Sequence, residues 1–392
     1  MTTAEGALAG VRVLDLSRVL AGPWCAQILG DLGADVIKVE RPGKGDEARS
    51  YGLATKAVDG RATPAPMHIV ANRNKRSITV DMATAEGAKL IAELARQCDI
   101  VVENFLPGKL ARFGLDYETL SHDNPGLIYC SITGFGQTGP LADRPGYDAV
   151  FQAHGGLMSI TGEPDRPPAR AGISIGDSLT AMHAVMGITM ALHARERTGR
   201  GQMIDAALYE SVLAVMENLV TEYDLTGYVR ERSGSILPGI APSNVYPCAE
   251  GEMILIGGNG DTVFARLAQA MGQPELAADP RYVSHAARGA NQQALDEVIA
   301  AWTAGWKLDD LIEHLEAAGI PCGRIFRAPD MLENEQYQAR EAIVETDHPV
   351  FGKVKMQNAF PKLSETPGAV RWPGPELGQH TDEVLGEIGL NA

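Results

Sequence analysis

Alternating apolar and polar positions in the first third of the chain predict short strands that take turns with amphipathic helices. Apolar residues alternate over residues 11–16, helical spacing follows over 24–32, and a second strand pattern covers 35–39. A strand, a helix and a strand in this order predict a parallel pair with a right-handed crossover. The same patterns recur as strands at 77–80, 100–103 and 127–132 and a helix at 84–97. We therefore predict an α/β fold with a doubly wound parallel sheet.

The pattern changes at Asp177, which lies between a short strand-like run at 172–176 and a long apolar helix that Gly199 is predicted to end. A carboxylate at this point is commonly an N-cap that accepts from the free N–H groups of the first turn. It can instead be a nucleophile held at a helix N-terminus. The local pattern favours the cap, so a catalytic role requires support from the rest of the chain.

The second half of the chain is richer in helices. A continuous apolar stripe predicts one helix over 206–226, long enough to bridge two domains. A loop-rich stretch then leads to a strand at 253–256 and a glycine-rich loop at 257–260. Further elements are predicted as helices at 261–271, 292–302 and 307–318, strands at 320–326 and 354–360, and a final helix after Thr381.

The length of 392 residues indicates two domains or one large divided domain. We assign residues 1–224 and 326–392 to a large Rossmann-like domain that includes the bridging helix. Residues 225–325 are assigned to a smaller α+β domain.

Composition limits the partners. The formal net charge of −16 makes nucleic acid a poor ligand. The five cysteines form no C-x-x-C pair, which favours reduced thiols in the cytoplasm. The N-terminus lacks a secretion signal, and the apolar run at 179–194 is short for a membrane span and contains two histidines. We expect a cytoplasmic protein with neither nucleic acid nor a membrane as partner.

Several enzyme templates are excluded. Residues 134–139 match G-x-G-x-x-G, but Pro140 follows where a dinucleotide site needs a helix. The sequence contains no G-x-S-x-G elbow, no H-E-x-x-H, no P-loop and no clustered His and Cys residues, so no metal site is predicted. The densest basic cluster, at 72–76, is either a solvated loop or a phosphate-binding site.

Eight short motifs, in order along nearly the whole chain, resemble those of the family III CoA-transferases, which include formyl-CoA transferase and carnitine CoA-transferase. The motifs are LSRVLAGP at 16–23, LGADVIKVERP at 32–42, NRNKRS at 72–77, ENF at 103–105, GYD at 146–148, GDS at 176–178, TGRGQ at 198–202 and LGQHT at 377–381. The resemblance implies an interlocked homodimer with coenzyme A thioesters as substrates and no tightly bound cofactor.

The resemblance also implies a role for each site residue. Asp177 would attack the donor thioester to give a mixed anhydride, and CoA would then form an aspartyl-CoA thioester. The loop at 257–260, through Gly258 and Gly260, would stabilise tetrahedral oxyanions with backbone N–H groups. Tyr147 and Asp148 would lie near the thioester. The nucleotide end of CoA would be held by Arg41, Lys75, Asn104, Phe105 and Arg112.

Two departures from related proteins narrow the expected reaction. Formyl-CoA transferases carry Gln where this chain has Leu20, which disfavours formate and oxalate and favours succinyl-CoA with dicarboxylic or hydroxylated acids. The related α-methylacyl-CoA racemases carry His where Tyr147 stands, and racemisation needs a base on each face of the α-carbon. Three functions stay open: a CoA-transferase, an acyl-CoA racemase or isomerase, and a CoA-binding protein without turnover in which Asp177 only caps its helix.

Overall fold

The computed structural model describes residues 6–53 and 64–389, and the chain divides into two compact units. The division differs from the sequence-based one at three places. Residues 158–170 group with the second unit, and the main part of that unit runs from 222 to 335 rather than from 225 to 325. The first unit comprises Met1–Leu157, Ala171–Thr221 and Gln336–Ala392, and the second comprises Met158–Arg170 and Glu222–Glu335.

A six-stranded parallel sheet forms the centre of the first unit, as predicted. Its strands are β1 (Arg12–Asp15), β2 (Asp35–Glu40), β3 (Lys75–Thr79), β4 (Ile100–Glu103), β5 (Ile128–Thr133) and β6 (Met203–Ala207). Their order is β3-β2-β1-β4-β5-β6. The direction of winding reverses between β1 and β4, and ligands of open α/β sheets bind at the carboxyl side of such a point.

Helices cover both faces of this sheet, and its central strands are buried on both faces. Val13 and its neighbours on one face pack with α1 and α7, whereas Leu14 and the other face pack with α3. The helices up to residue 226 are α1 (Ala21–Asp31), α2 (Pro66–Ala71), α3 (Ala85–Arg96), α4 (Tyr117–Asp123), α5 (Asp148–His154), α6 (Leu157–Ile160), α7 (Ile175–Thr198), α8 (Leu208–Leu213) and α9 (Leu219–Thr226). A 3₁₀ helix at Glu47–Ser50 and another at Ala111–Phe113 lie in the loops after β2 and β4.

Helix α7 is buried on one face only. Ala184 and Ile188 lie in the core, whereas Met182, Met186 and Met190 are 46%, 46% and 65% exposed at four-residue spacing. In the part of the chain that the structure describes, α7 alone has the length and apolar composition that a membrane crossing requires. Its packing against α1, β5 and β6 makes it a structural helix of the sheet domain.

The prediction of one bridging helix over 206–226 is wrong. Residues 203–207 form β6, which pairs in parallel with β5, and two short helices follow. The break between α8 and α9 contains Glu217 at φ +51°, a left-handed conformation that a continuous helix excludes. The strand-like run at 172–176 is also not a strand, because α7 already begins at Ile175.

The second unit contains a three-stranded antiparallel sheet in the order β7-β8-β9, packed with helices around a separate core. Its strands are β7 (Ser243–Pro247), β8 (Met253–Gly257) and β9 (Cys322–Arg324). Its helices are α10 (Asp261–Ala270), α11 (His285–Ala290), α12 (Gln292–Thr303), α13 (Leu308–Ala317) and α14 (Ala328–Glu333), with 3₁₀ helices at Ala249–Gly251 and Pro274–Ala278.

The last part of the chain returns to the first unit. After α15 (Glu335–Ala339), an antiparallel hairpin is formed by β10 (Ile343–His348) and β11 (Gly352–Gln357). The final helix, α16 (Thr381–Glu387), packs beside β3.

Candidate active site

Two adjoining cavities open where β1, β2, β4 and β5 end, at the carboxyl edge of the sheet. The first, here called the cationic cavity, has a volume of about 420 Å³ and is lined by Arg41, Lys44, Lys109 and Arg112 among others. The second, the Asp177 cavity, has a volume of about 500 Å³. Both cavities lie within the first unit, and they share Arg18, Glu47 and Phe105 as lining residues. A ligand with a charged end and a reactive end can therefore extend through both.

Asp177 is the third residue of α7 rather than its N-cap. Ser174 occupies the N-cap position and makes no side-chain capping bond. The backbone N–H groups of Gly176 and Asp177 instead donate to Asp148 Oδ1, at 2.8 and 3.3 Å. The N-cap interpretation of Asp177 is therefore wrong, and its half-buried side chain lines the Asp177 cavity.

Asp148 does not line either cavity. Its side chain is buried, with Oδ1 at the start of α7 and Oδ2 accepting from Gln152 Nε2 at 2.6 Å. Asp148 was predicted to lie near the thioester. In the structure its carboxylate instead holds the N-terminus of α7, the helix that carries Asp177.

Tyr147 lines the Asp177 cavity, with 71% of its surface exposed. Tyr51, which the sequence patterns did not single out, lines the same cavity. The pKa of Tyr51 is raised by partial desolvation and then by the charge and hydrogen bond of Tyr147. Two phenols therefore line the cavity that contains Asp177.

Asn104 and Phe105 lie between the cavities. Asn104 Oδ1 accepts from the backbone N–H of Arg18 at 2.8 Å, and its Nδ2 donates to the Arg18 carbonyl at 2.7 Å. The Arg18 guanidinium lies 4.9 Å from the centre of the Phe105 ring and binds Glu47 at 2.9 Å. Asn104 therefore fixes the β1 loop, and only Phe105 also lines the cationic cavity.

The four cations that name the cationic cavity are exposed and have no ion-pair partner within residues 6–53 and 64–389. By contrast, Lys38 in the same wall pairs with Asp46, and Arg49 with Glu40. Unpaired guanidinium and ammonium groups are suited to phosphate. The structure therefore brings Arg41 and Arg112 together in one cavity, with Lys44 and Lys109 as additional cations that sequence reasoning missed.

Lys75 cannot serve the nucleotide. Its side chain is fully buried, and Nζ donates to Asp15 Oδ2 at 2.8 Å, Pro23 O at 2.7 Å and Asn72 Oδ1 at 2.9 Å. All three ammonium protons are used inside the protein. Burial, partly offset by Asp15, lowers the pKa of Lys75 to about 8. The prediction that Lys75 binds CoA is therefore wrong for this structure.

The basic cluster at 72–76 is neither a solvated loop nor a phosphate site. Its residues are buried at the start of β3, where Arg73 Nε donates to Asp31 at 3.0 Å. Arg76 binds three carboxylates, those of Asp35, Glu383 and Glu387. Internal carboxylates therefore satisfy the cations, and the cluster joins β3 to α1, β2 and α16.

The glycine-rich loop at 257–260 belongs to the second unit. The N–H of Gly258 donates to Pro242 O at 2.8 Å, so the prediction of an oxyanion donor at Gly258 is wrong for this structure. The N–H of Gly260 has no protein acceptor among the described residues, and Gly260 precedes α10. The buried Arg288 supports this loop by donating to Asn259 O at 2.7 Å.

An unpredicted feature is the backbone of Val19, which lines the Asp177 cavity at φ +68°. A β-branched residue is an outlier in this left-handed region. The N–H of Val19 donates to both oxygens of the buried Asp46, at 3.0 and 3.2 Å. No sequence pattern signals such a conformation at a valine.

Comparisons with known proteins identify the family of the chain. A succinyl-CoA–D-citramalate CoA-transferase of Chloroflexus aurantiacus is 52% identical over 96% of this chain and 93% of its own length. A succinate–glutarate CoA-transferase of Agrobacterium fabrum is 42% identical over 99% of this chain and 97% of its own. Among solved structures, a CAIB/BAIF family protein from Brucella suis has a TM-score of 0.87 at 39% identity, covering 98% of this chain and 100% of that one. The family described as CoA-transferase family III matches residues 8–381, and the chain belongs to that family.

Proposed function

We propose that this enzyme transfers CoA from succinyl-CoA to a second small dicarboxylic acid, with Asp177 as the acyl-carrying nucleophile. Relatives at 52%, 42% and 40% identity are named for succinyl-CoA with D-citramalate, for succinate with glutarate, and for succinyl-CoA with L-malate. The observation that carries the mechanism is the position of Asp177 in a cavity that adjoins the cationic cavity.

The cationic cavity is suited to the nucleotide end of CoA. Its four unpaired cations match the phosphates, and Phe105 offers an aromatic face to the base. The thioester end then extends past Arg18 towards Asp177. Arg41 and Arg112 keep the nucleotide role expected from the resemblance, and Asn104 acts indirectly by holding Arg18.

The first half-reaction moves CoA onto the enzyme. A carboxylate oxygen of Asp177 attacks the thioester carbon, and the C–S bond breaks. CoA departs as a thiolate, and a mixed anhydride between the donor acid and Asp177 is formed. The thiolate then attacks the Asp177 carbonyl carbon of that anhydride. The donor acid departs as a carboxylate, and an aspartyl-CoA thioester remains.

The second half-reaction reverses these steps with a new acid. The acceptor carboxylate attacks the aspartyl-CoA thioester and releases the thiolate, which then attacks the acceptor's acyl carbon and frees Asp177. Every nucleophile is already an anion, so no step needs a general base or a resident cofactor. Coenzyme A thioesters are therefore proposed as substrates, with no tightly bound cofactor.

The tetrahedral oxyanions of these steps need N–H donors. We assign one of them to Gly260, whose N–H has no protein acceptor among the described residues. We also propose that two copies of the chain form an interlocked homodimer in the cytoplasm. Support comes from the exposed methionine face of α7, an apolar surface that a second subunit would bury.

The racemase alternative gains no support from the residues around Asp177. The described lining of the Asp177 cavity contains no histidine. Apart from Asp177 its carboxylate is that of Glu47, which is paired with Arg18. Racemisation requires a base on each face of the α-carbon. The non-catalytic alternative rested on Asp177 as the N-cap, a position that Ser174 occupies.

Trapping of the intermediate tests the proposal. The protein is incubated with succinyl-CoA, quenched and digested, and we expect the peptide that contains Asp177 to carry CoA with loss of water. Hydroxylamine should convert that adduct to a hydroxamate, and Asp177→Asn should form neither product. Solvent deuterium at the α-carbon of the acyl group, without transfer between acids, would identify a racemase instead.

A further inference from the structure

The turn formed by Arg18, Val19 and Leu20 is held from outside by side chains of two other loops. Asn104 binds both backbone groups of Arg18, and Asp46 accepts the N–H of Val19. Val19 and Leu20 line the Asp177 cavity, whereas Asp46 lines only the cationic cavity. The shape of one wall of the acyl site therefore depends on a residue outside that site.

Asp46 is built to stay in place. Its side chain also accepts from the backbone N–H of Ala48 and from Lys38 Nζ, both at 2.9 Å. Burial by itself would raise the pKa of Asp46, but the charge of Lys38 and the donated N–H bonds outweigh it and hold this pKa well below its usual range. The carboxylate is thus ionised, buried and held by donors from three segments.

The left-handed conformation of Val19 requires such a support. A β-branched residue does not adopt φ +68° without an external constraint, and glycine adopts it freely. Without the acceptor at Asp46, Val19 would relax to negative φ. The following peptide, and Leu20 with it, would then move relative to Asp177.

We propose that Asp46 is a positioning residue that keeps the 18–20 turn in its left-handed shape, and that the acyl selectivity of the Asp177 cavity depends on it. The proposal rests on the proposed function, because its readout is the choice between acyl-CoA donors. Asp46 supports this selectivity without contacting the acyl group.

The test compares kcat/KM for succinyl-CoA with kcat/KM for acetyl-CoA in Asp46→Asn. The side-chain amide nitrogen that Asp46→Asn introduces cannot accept a hydrogen bond from Lys38. The side chain can therefore no longer accept from all the groups that donate to Asp46. We expect the ratio of the two values to fall about tenfold. A loss of folded enzyme lowers both values equally and cancels in the ratio.

The matched variant is Val19→Gly. Glycine adopts this φ without strain, so the turn of the Val19→Gly protein does not need Asp46. We therefore expect Asp46→Asn to lower the ratio much less in the Val19→Gly background than in the native background, with each double or single variant compared with its own parent. An unchanged ratio in folded Asp46→Asn, or an equal fall in the native and Val19→Gly backgrounds, overturns the proposal. If Asp46→Asn does not fold, the double variant is compared with Val19→Gly alone, and a changed ratio there overturns it.

Activity of the native enzyme with succinyl-CoA tests the proposed function separately from the role of Asp46. If the native enzyme does not use succinyl-CoA, that function is wrong as stated. The selectivity ratio is then measured with the two best acyl-CoA donors that the native enzyme does use, and the same outcomes decide the role of Asp46.

Discussion

Asp148 and Asp177 meet at the first turn of α7, where Asp148 Oδ1 accepts the backbone N–H of Asp177 at 3.3 Å. One carboxylate thus takes up N–H donors at the helix N-terminus, while the other presents its side chain to the cavity. The two acidic residues therefore have separable roles. Asp148 supports the helix, and Asp177 is the proposed carrier of the acyl group.

The first prediction concerns this division. Asp148→Asn should lower the free energy of unfolding by about 1 kcal/mol, the usual effect of weakening a helix cap. It should slow transfer while the CoA adduct on Asp177 still forms. Asp177→Asn should leave the unfolding free energy nearly unchanged and abolish the adduct. Thermal unfolding and mass spectrometry of trapped peptides measure both. Loss of the adduct in a fully stable Asp148→Asn protein would contradict this assignment.

The second prediction concerns the cationic cavity. Lys109→Gln removes one unpaired cation, and we expect the KM for acyl-CoA to rise about three- to tenfold with little change in kcat. The increase should shrink at high ionic strength because salt screens exposed charges.

Lys89→Gln is the matched control for Lys109→Gln. Lys89 is an exposed lysine on α3 that lines neither cavity. Lys89→Gln changes the net charge by the same amount as Lys109→Gln. Because Lys89 lies outside both cavities, the KM of Lys89→Gln for acyl-CoA should stay at the native value. An equal rise in both variants would point to overall charge rather than to a phosphate site.

The third prediction separates the two roles considered for Lys75. Lys75→Gln leaves the buried Asp15 without its nearest cation, and breaking a buried pair typically costs about 3–5 kcal/mol. We expect a large loss of stability, measured by chemical denaturation. The dissociation constant for CoA of the protein that remains folded should not change. A stable variant with weakened CoA binding would restore the nucleotide role.

The fourth prediction concerns Glu103, whose Oε2 accepts the N–H of Phe105 at 2.7 Å. Burial raises the pKa of Glu103 to about 7, against hydrogen bonds from Ser131 and Phe105 that lower it. The pKa is higher in the folded protein than in the unfolded chain. The resulting stabilisation is fully present below about pH 4 and is lost as the pH rises through 7.

Glu103→Gln removes this titration. We therefore expect the unfolding free energy of the native protein relative to Glu103→Gln to decrease between pH 5 and pH 8, by about 2–3 kcal/mol in total. The buried His68 titrates in both proteins and cancels in the difference. Parallel stability curves across this range would show that Glu103 is not protonated in the folded state.

Local patterns were sufficient for five of the six strands of the parallel sheet. Strands were predicted at 35–39 and 100–103, and the structure confirms them as β2 and β4. The apolar stripe over 206–226 misled because pairing with β5 overrides helical spacing at β6, and Glu217 breaks the helix. Periodicity describes a segment, whereas strand pairing depends on a distant neighbour.

The amino-acid sequence by itself determined the doubly wound fold, the CoA-transferase family III motifs and the place of Asp177 near the N-terminus of a long helix. These are properties of short segments and of their order. Only the tertiary structure decided which charges are available to a ligand. Lys75 is satisfied by Asp15, 60 positions away, and the start of α7 by Asp148, 28 positions before Gly176, while Arg41 and Arg112 keep their charges open to the cavity. The physical reason is that a cation binds the nearest acceptor in space, and spatial neighbours are set by how the whole sheet packs.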